Sequence, residues 1–158
     1  MSTRSNIARR NLDGSVEFIY CHLDGYPVHH GPILLSHYAG NCEMGQLLEL
    51  GDLSSLGAEI GQKHDFDDHK RVCGDPAHPH YQEFKRQCNA YGRDRGETGT
   101  GPRQAATLRT YSAGMRGSVI KWVYLWDVTA QRWMYRALGS KRAKWVPLAD
   151  WREHLEEE

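Results

Sequence analysis

Residues 6–22 read NIARRNLDGSVEFIYCH, and the fold class follows from how this stretch is parsed. Asn6 to Arg10 and Val16 to His22 are each rich in β-branched, aromatic and apolar residues. Between them stands Leu12-Asp13-Gly14-Ser15. Asp-Gly between such runs marks a hairpin, because glycine accepts the positive φ that a tight turn demands. Alternation along the second strand sets Phe18 and Tyr20 on one face and Ile19 and Cys21 on the other.

Working outward, residues 118–127 (SVIKWVYLWD) give the strongest further strand. Ile120, Trp122, Tyr124 and Trp126 alternate with Val119, Val123 and Leu125. Apolar character on both faces predicts a central strand. Arg132 to Arg136 and Lys144 to Pro147 continue the pattern, the latter as an edge strand. The tight turns predict antiparallel pairing, hence α+β: an antiparallel sheet, N-terminal hairpin plus C-terminal meander, packed with short helices from residues 32–60 and a C-terminal helix.

A loop of Asp24 to Gly31 is expected first, then a helix opening at Pro32, with Ile33, Leu34, Leu35 and Tyr38 at helical spacing. A second helix runs from Glu43 to Leu50 over Met44, Leu47 and Leu48, and Gly51 stops it. Asp52 is expected to cap a short turn burying Leu53, Leu56 and Ile60. Residues 61–87 are polar and read as loop-rich, with one helical turn near Tyr81 to Arg86. Asp150 and Glu153 resemble a capping box for a last helix burying Leu148, Trp151 and Leu155.

The chain has 158 residues, with 39% hydrophobic and 25% charged residues. That predicts one domain, 1–158, with residues 69–87 as a loop-rich insertion. No apolar run approaches the ~20 residues a membrane helix needs. The basic N-terminal stretch lacks the apolar segment of a signal peptide, so a cytoplasmic protein with reduced thiols is expected.

Lysine plus arginine and aspartate plus glutamate each number 20, so the net charge is zero. The zero conceals segregation: residues 13–69 carry a balance of −9 and residues 70–149 one of +10. The two stretches either neutralise each other inside the fold or form separate faces that attract charged partners.

Four groups of residues have types suited to binding or chemistry. Glu43, Glu49, Asp52, Glu59, Asp65, Asp67 and Asp68 form an acidic stretch suited to docking on a nucleic-acid-binding protein. Arg93, Arg95 and Arg103, with Arg109, flank glycine-rich turns; they either grip phosphate or carboxylate, or Arg93 and Arg95 anchor the acidic segment that contains Asp65, Asp67 and Asp68. Cys73, His78, His80 and Cys88 supply the nitrogen and sulfur ligands that zinc takes, within a region that also holds His64 and His69. Their spacing matches no standard finger, so no cofactor is required by motif and zinc is the metal the ligand types admit. Finally, Cys21, His22, His29, His30 and His37 surround the turn at Asp24; they suit either a metalloenzyme with Asp24 as base or a structural turn with exposed histidines. Trp122, Trp126, Trp133 and Tyr135 read as core rather than as a platform for stacking bases.

Three stretches carry a resemblance: IYCHLDGYPVHHGPILLSHY (Ile19 to Tyr38), LLELGDLSSLGAEIGQKHDFDD (Leu47 to Asp68) and CNAYGRDRGE (Cys88 to Glu97). They resemble a widespread group of small phage and prophage proteins with no established function, and the likeness extends to WVYLWD (Trp122 to Asp127). The group's pattern has tryptophan where this chain has Leu23, and His69 to Lys85 looks like extra material. The resemblance implies a phage accessory role, exercised by binding a host protein or complex; inhibition of a bacterial defence system, anti-CRISPR-like or other, is one form of it. Two other functions stay open: a nucleic-acid or nucleotide binder using the basic segment 85–145, and a zinc-supported hydrolase. The residues leave the oligomeric state open.

Overall fold

The computed structural model describes residues 2–115, 117–138 and 144–157, with residues 154–157 described by their backbone alone. Its centre is the predicted hairpin. Strands β1 (Ser5–Arg10) and β2 (Val16–Cys21) pair antiparallel, with Ser5 opposite Cys21 and Arg10 opposite Val16. Gly14 takes a φ of +87° in the turn, and the Asp13 carboxylate accepts from the Ser15 backbone N–H and hydroxyl.

Among the described residues six further strands complete an α+β sheet: β3 (Leu53–Ser55), β4 (Asn89–Ala90), β5 (Arg103–Ala105), β6 (Trp122–Asp127), β7 (Arg132–Ala137) and β8 (Val146–Pro147). The order is β4-β3-β2-β1-β6-β7-β8, and β5 pairs with the Val16 end of β2. Pairing is mostly antiparallel, as expected. Two contacts depart from that: β1–β6 and β2–β3 are parallel. The β6–β7–β8 meander therefore docks beside the first strand of the chain, and β6 is central, as its two apolar faces require.

One face carries Ile7, Ile19, Cys21, Tyr124, Trp126, Trp133 and Tyr135, packed under α1 (Pro27–His37), α2 (Asn41–Leu50) and a C-terminal 3₁₀ helix (Leu148–Glu157). The opposite face, with Ala8, Val16, Val123 and Leu125, is covered by Tyr111 and its neighbours. The remaining helices are α3 (Phe66–Cys73), α4 (Tyr81–Lys85), α5 (Tyr91–Arg95) and α6 (Leu108–Gly114). No described helix is long and apolar enough to cross a membrane.

Five sequence-based expectations change. Helix α1 begins at Pro27, not Pro32, so Pro32 lies inside it. An internal proline removes a backbone hydrogen bond and crowds the residue before it. That residue is Gly31, which has no Cβ to crowd; a Cβ there would also stand 3.0 Å from Trp151 Cδ1. Asp52 caps no turn, because Leu53–Ser55 is a strand. Residues 61–87 hold two helices: α3 is capped by Asp65, whose side chain accepts from the Asp68 N–H, and buries Phe66, His69 and Val72. Ile120 packs with the Val123 and Leu125 face, while Val119 is 60% exposed. The last helical segment starts at Leu148 and kinks at Asp150, which is therefore no N-cap. Leu148 and Trp151 are buried as expected, and the Leu155 side chain lies outside the described residues.

Candidate functional site

The charged candidates divide into those the fold has engaged and those it leaves at the surface. Asp52 belongs to the first class. It is 7% exposed, accepts from the Tyr20 N–H, and takes both arms of the Arg103 guanidinium at 2.9 and 2.7 Å. The paired carboxylate holds the Arg103 pKa above its ordinary value. Gly51, at φ +84°, brings the chain close to Thr100, whose carbonyl accepts from the Asp52 N–H. A residue of the acidic stretch and one of the arginines are thus each other's partner, across the joint where β5 and β3 flank β2.

Arg93 is engaged more deeply. Its guanidinium donates to both carboxylate oxygens of Asp94 and to the carbonyls of Ile60, Gly61 and Cys88. Asp94, 8% exposed, also accepts from the N–H groups of Ala90 and His64. The His64 ring lies against it, Nε2 3.4 Å from Asp94 Oδ2 and 2.9 Å from Asn89 Oδ1. Asn89, fully buried, donates to the Phe66 carbonyl. This hub ties residues 60–66 to the 88–94 segment. Arg93 does anchor the acidic stretch, but through the backbone at Ile60 and Gly61 and not through Asp65, Asp67 or Asp68. Arg95 stands over the Phe66 ring at 5.1 Å and keeps its exposure.

Sequence pattern singles out neither Asp94 nor Asn89. Asp94 reaches back from α5 to the N–H of the N-cap Ala90, four residues earlier, and with Ala at the N-cap the sequence shows no capping box there. Asn89 offered no local sign, since its partners lie 23 and 25 residues away.

The four zinc candidates are not brought together. Cys88 is in the core, with its sulfur 3.4 Å from the Gly57 N–H nitrogen and 3.6 Å from the Tyr38 hydroxyl, and burial pushes its thiol pKa up. Cys73 is half-buried beside His69, Sγ 3.6 Å from Nδ1, and burial raises its pKa too. His78 and His80 lie on the turn before α4, where His80 pairs with the exposed Glu83. Among the described residues no group of three or more His, Cys, Asp or Glu is placed to hold a metal ion. The histidines near Asp24 are also divided: His37 is exposed, His22 and His29 half-buried and His30 wholly buried, so the expected turn with exposed histidines holds at His37 alone. All four cysteines are free.

Glu43, Glu49, Glu59, Asp65, Asp67 and Asp68 remain exposed, with Asp68 paired to Arg71. Trp126, Trp133 and Tyr135 are core residues, and Trp122 packs against them. An open concavity of about 450 Å³ lies at the hairpin tip, lined by Arg9, Asn11, Leu12, Asp13, Asn41 and Val128. Arg9 is already paired with Glu17. No protein-family model, curated protein or solved structure matches the chain.

Proposed function

We propose that this chain is a phage accessory protein that acts by binding a host protein or complex, docking its exposed acidic side chains onto a basic, nucleic-acid-binding partner. Inhibition of a bacterial defence system is the outcome such docking would serve. One observation carries this choice of surface. Arg93 and Arg103 are held by Asp94 and Asp52, whereas Glu43, Glu49, Glu59, Asp65 and Asp67 are exposed. Exposed charge of one sign steers encounter with a partner of the other sign and selects against like-charged ones. The same observation removes Arg93 and Arg103 from a nucleic-acid surface on segment 85–145, where Lys85, Arg86, Arg95, Arg109, Lys121 and Arg132 stay exposed. Segregated charge thus acts in both ways at once: part neutralised within the fold, part left for a partner.

The test is capture by the tagged chain from nuclease-treated bacterial lysate, read by mass spectrometry beside the Glu43→Lys/Glu49→Lys variant. One protein or complex held in near-equal amount by the wild type, and lost by the variant, supports the proposal. Equal capture by both moves docking off the acidic surface. Nucleic acid recovered without nuclease, and no protein with it, overturns protein binding.

A further inference from the structure

We propose that the His29–His30 pair is a proton-operated latch that holds the first turns of α1 on the sheet and releases them in mild acid. His30 is fully buried, and its ring lies 5.1 Å from that of Tyr124 on β6. Its Nε2 is 3.2 Å from Ser5 Oγ on β1, and its Nδ1 is 3.0 Å from His29 Nδ1. The chain Ser5–His30–His29 therefore runs from the sheet into the helix. Gly31 follows directly, with Trp151 of the C-terminal 3₁₀ helix packed on it.

Counting protons on this chain gives the device. Two nitrogens facing each other at 3.0 Å share one proton. The neutral pair satisfies this in either tautomer order, with Ser5 donating or accepting to suit. A third proton leaves the shared contact intact but charges a pair held away from water. A fourth sets N–H against N–H, and the contact must break. The charged groups around the pair fix where the third proton goes. The Asp24 carboxylate favours charge on His29 and the Lys85 ammonium of α4 opposes it; Tyr26 packs its ring edge-on against His29. Around His30 stand His29, Ser5 and Tyr124, and none offers a counter-charge; Arg152, on the packed 3₁₀ helix, stacks over Trp151. Burial accordingly holds both imidazoles below the ordinary value of 6.5, His30 well below it.

The sign follows by linkage. The opened segment binds protons below pH 6.5 that the closed one refuses, so closure is complete above that pH and weakens as pH falls. At pH 5.5 each refused proton favours the open form by about tenfold.

Hydrogen exchange of the whole chain at pH 7.5 and 5.5, corrected for intrinsic rates, tests this. The amides of α1 are expected to open about tenfold or more readily at pH 5.5, while α2, which holds no histidine, changes little. His30→Gln, which keeps a partner for Ser5 but takes no proton, should remove most of the α1 response. Should that variant not fold, His30 in the wild type is followed by imidazole nitrogen chemical shifts: it stays neutral for as long as α1 is closed. An α1 response no larger than that of α2, or a His30 that titrates near 6.5 with α1 still protected, overturns the latch.

Discussion

The four long strands and the segment from Leu56 to Arg95 are held by different forces. In β1, β2, β6 and β7 each strand contributes six residues in unbroken register, and large apolar side chains fill both faces. In the Leu56–Arg95 segment the helices run five to eight residues, and fixed polar contacts supply much of the order. His69, Asn89 and Asp94 are buried there beside few large apolar groups. Apolar burial is shared among many contacts, so losing one side chain costs in proportion to its size. A buried polar hub is less forgiving, because removing one member strands the partners it satisfied.

The sharpest way to break this contrast is Asp94→Ala. It leaves the Ala90 and His64 N–H groups and the Arg93 Nε–H without their acceptor and the guanidinium without its counter-charge, and should cost about 4 kcal/mol in urea unfolding. A cost under about 1 kcal/mol would mean the hub is dispensable. Leu47→Ala, under the sheet, should cost about 3 kcal/mol as a cavity, with the denaturant slope unchanged.

Acid acts on both regions, since burial lowers the pKa of His69, stacked on His64 beside the hub, as well as of His29 and His30 under β1 and β6. The unfolded chain binds more protons below its ordinary value of 6.5, so stability is full above that pH and declines below it. Between pH 7.5 and 5.5 the loss should reach at most about 1.4 kcal/mol per histidine, read from urea midpoints at each pH. His69→Gln should shrink the slope without touching the α1 response. Arg103→Ala should be the mildest of these changes, about 1 kcal/mol or less by thermal unfolding. Its side chain is half-exposed, and Asp52 keeps the Tyr20 N–H.

Sequence periodicity made the first region legible and not the second, for a physical reason. Alternation of apolar residues encodes a two-faced strand locally, and Asp13-Gly14 encodes its turn. Sequence places Pro27 in a loop and opens α1 at Pro32, since a proline suits a first turn; the helix instead starts at Pro27 and buries His30, Gly31 and Leu34. Strand β3 is three residues long and carries no period of its own, while Asp52 finds its partner 51 residues away. Helix α3 did carry a signal, the N-cap Asp65 before Phe66, His69 and Val72 on one face. The many charges around them masked it. For the candidate site, sequence leaves Arg93 between an anchor and a docking group and reads Arg103 as a docking group alone. Only the positions of Asp94 and Asp52 show that both are held within the fold.

The hub arginine holds the fold, and the exposed acids are the surface proposed to meet a partner. The direct test is Arg93→Ala, followed by thermal melting and by lysate capture well below the melting point. Loss of the bonds to Ile60, Gly61, Cys88 and Asp94 should lower Tm by about 5 °C or more, with partner capture kept at the wild-type level. An unchanged Tm with capture abolished would instead make Arg93 the docking residue.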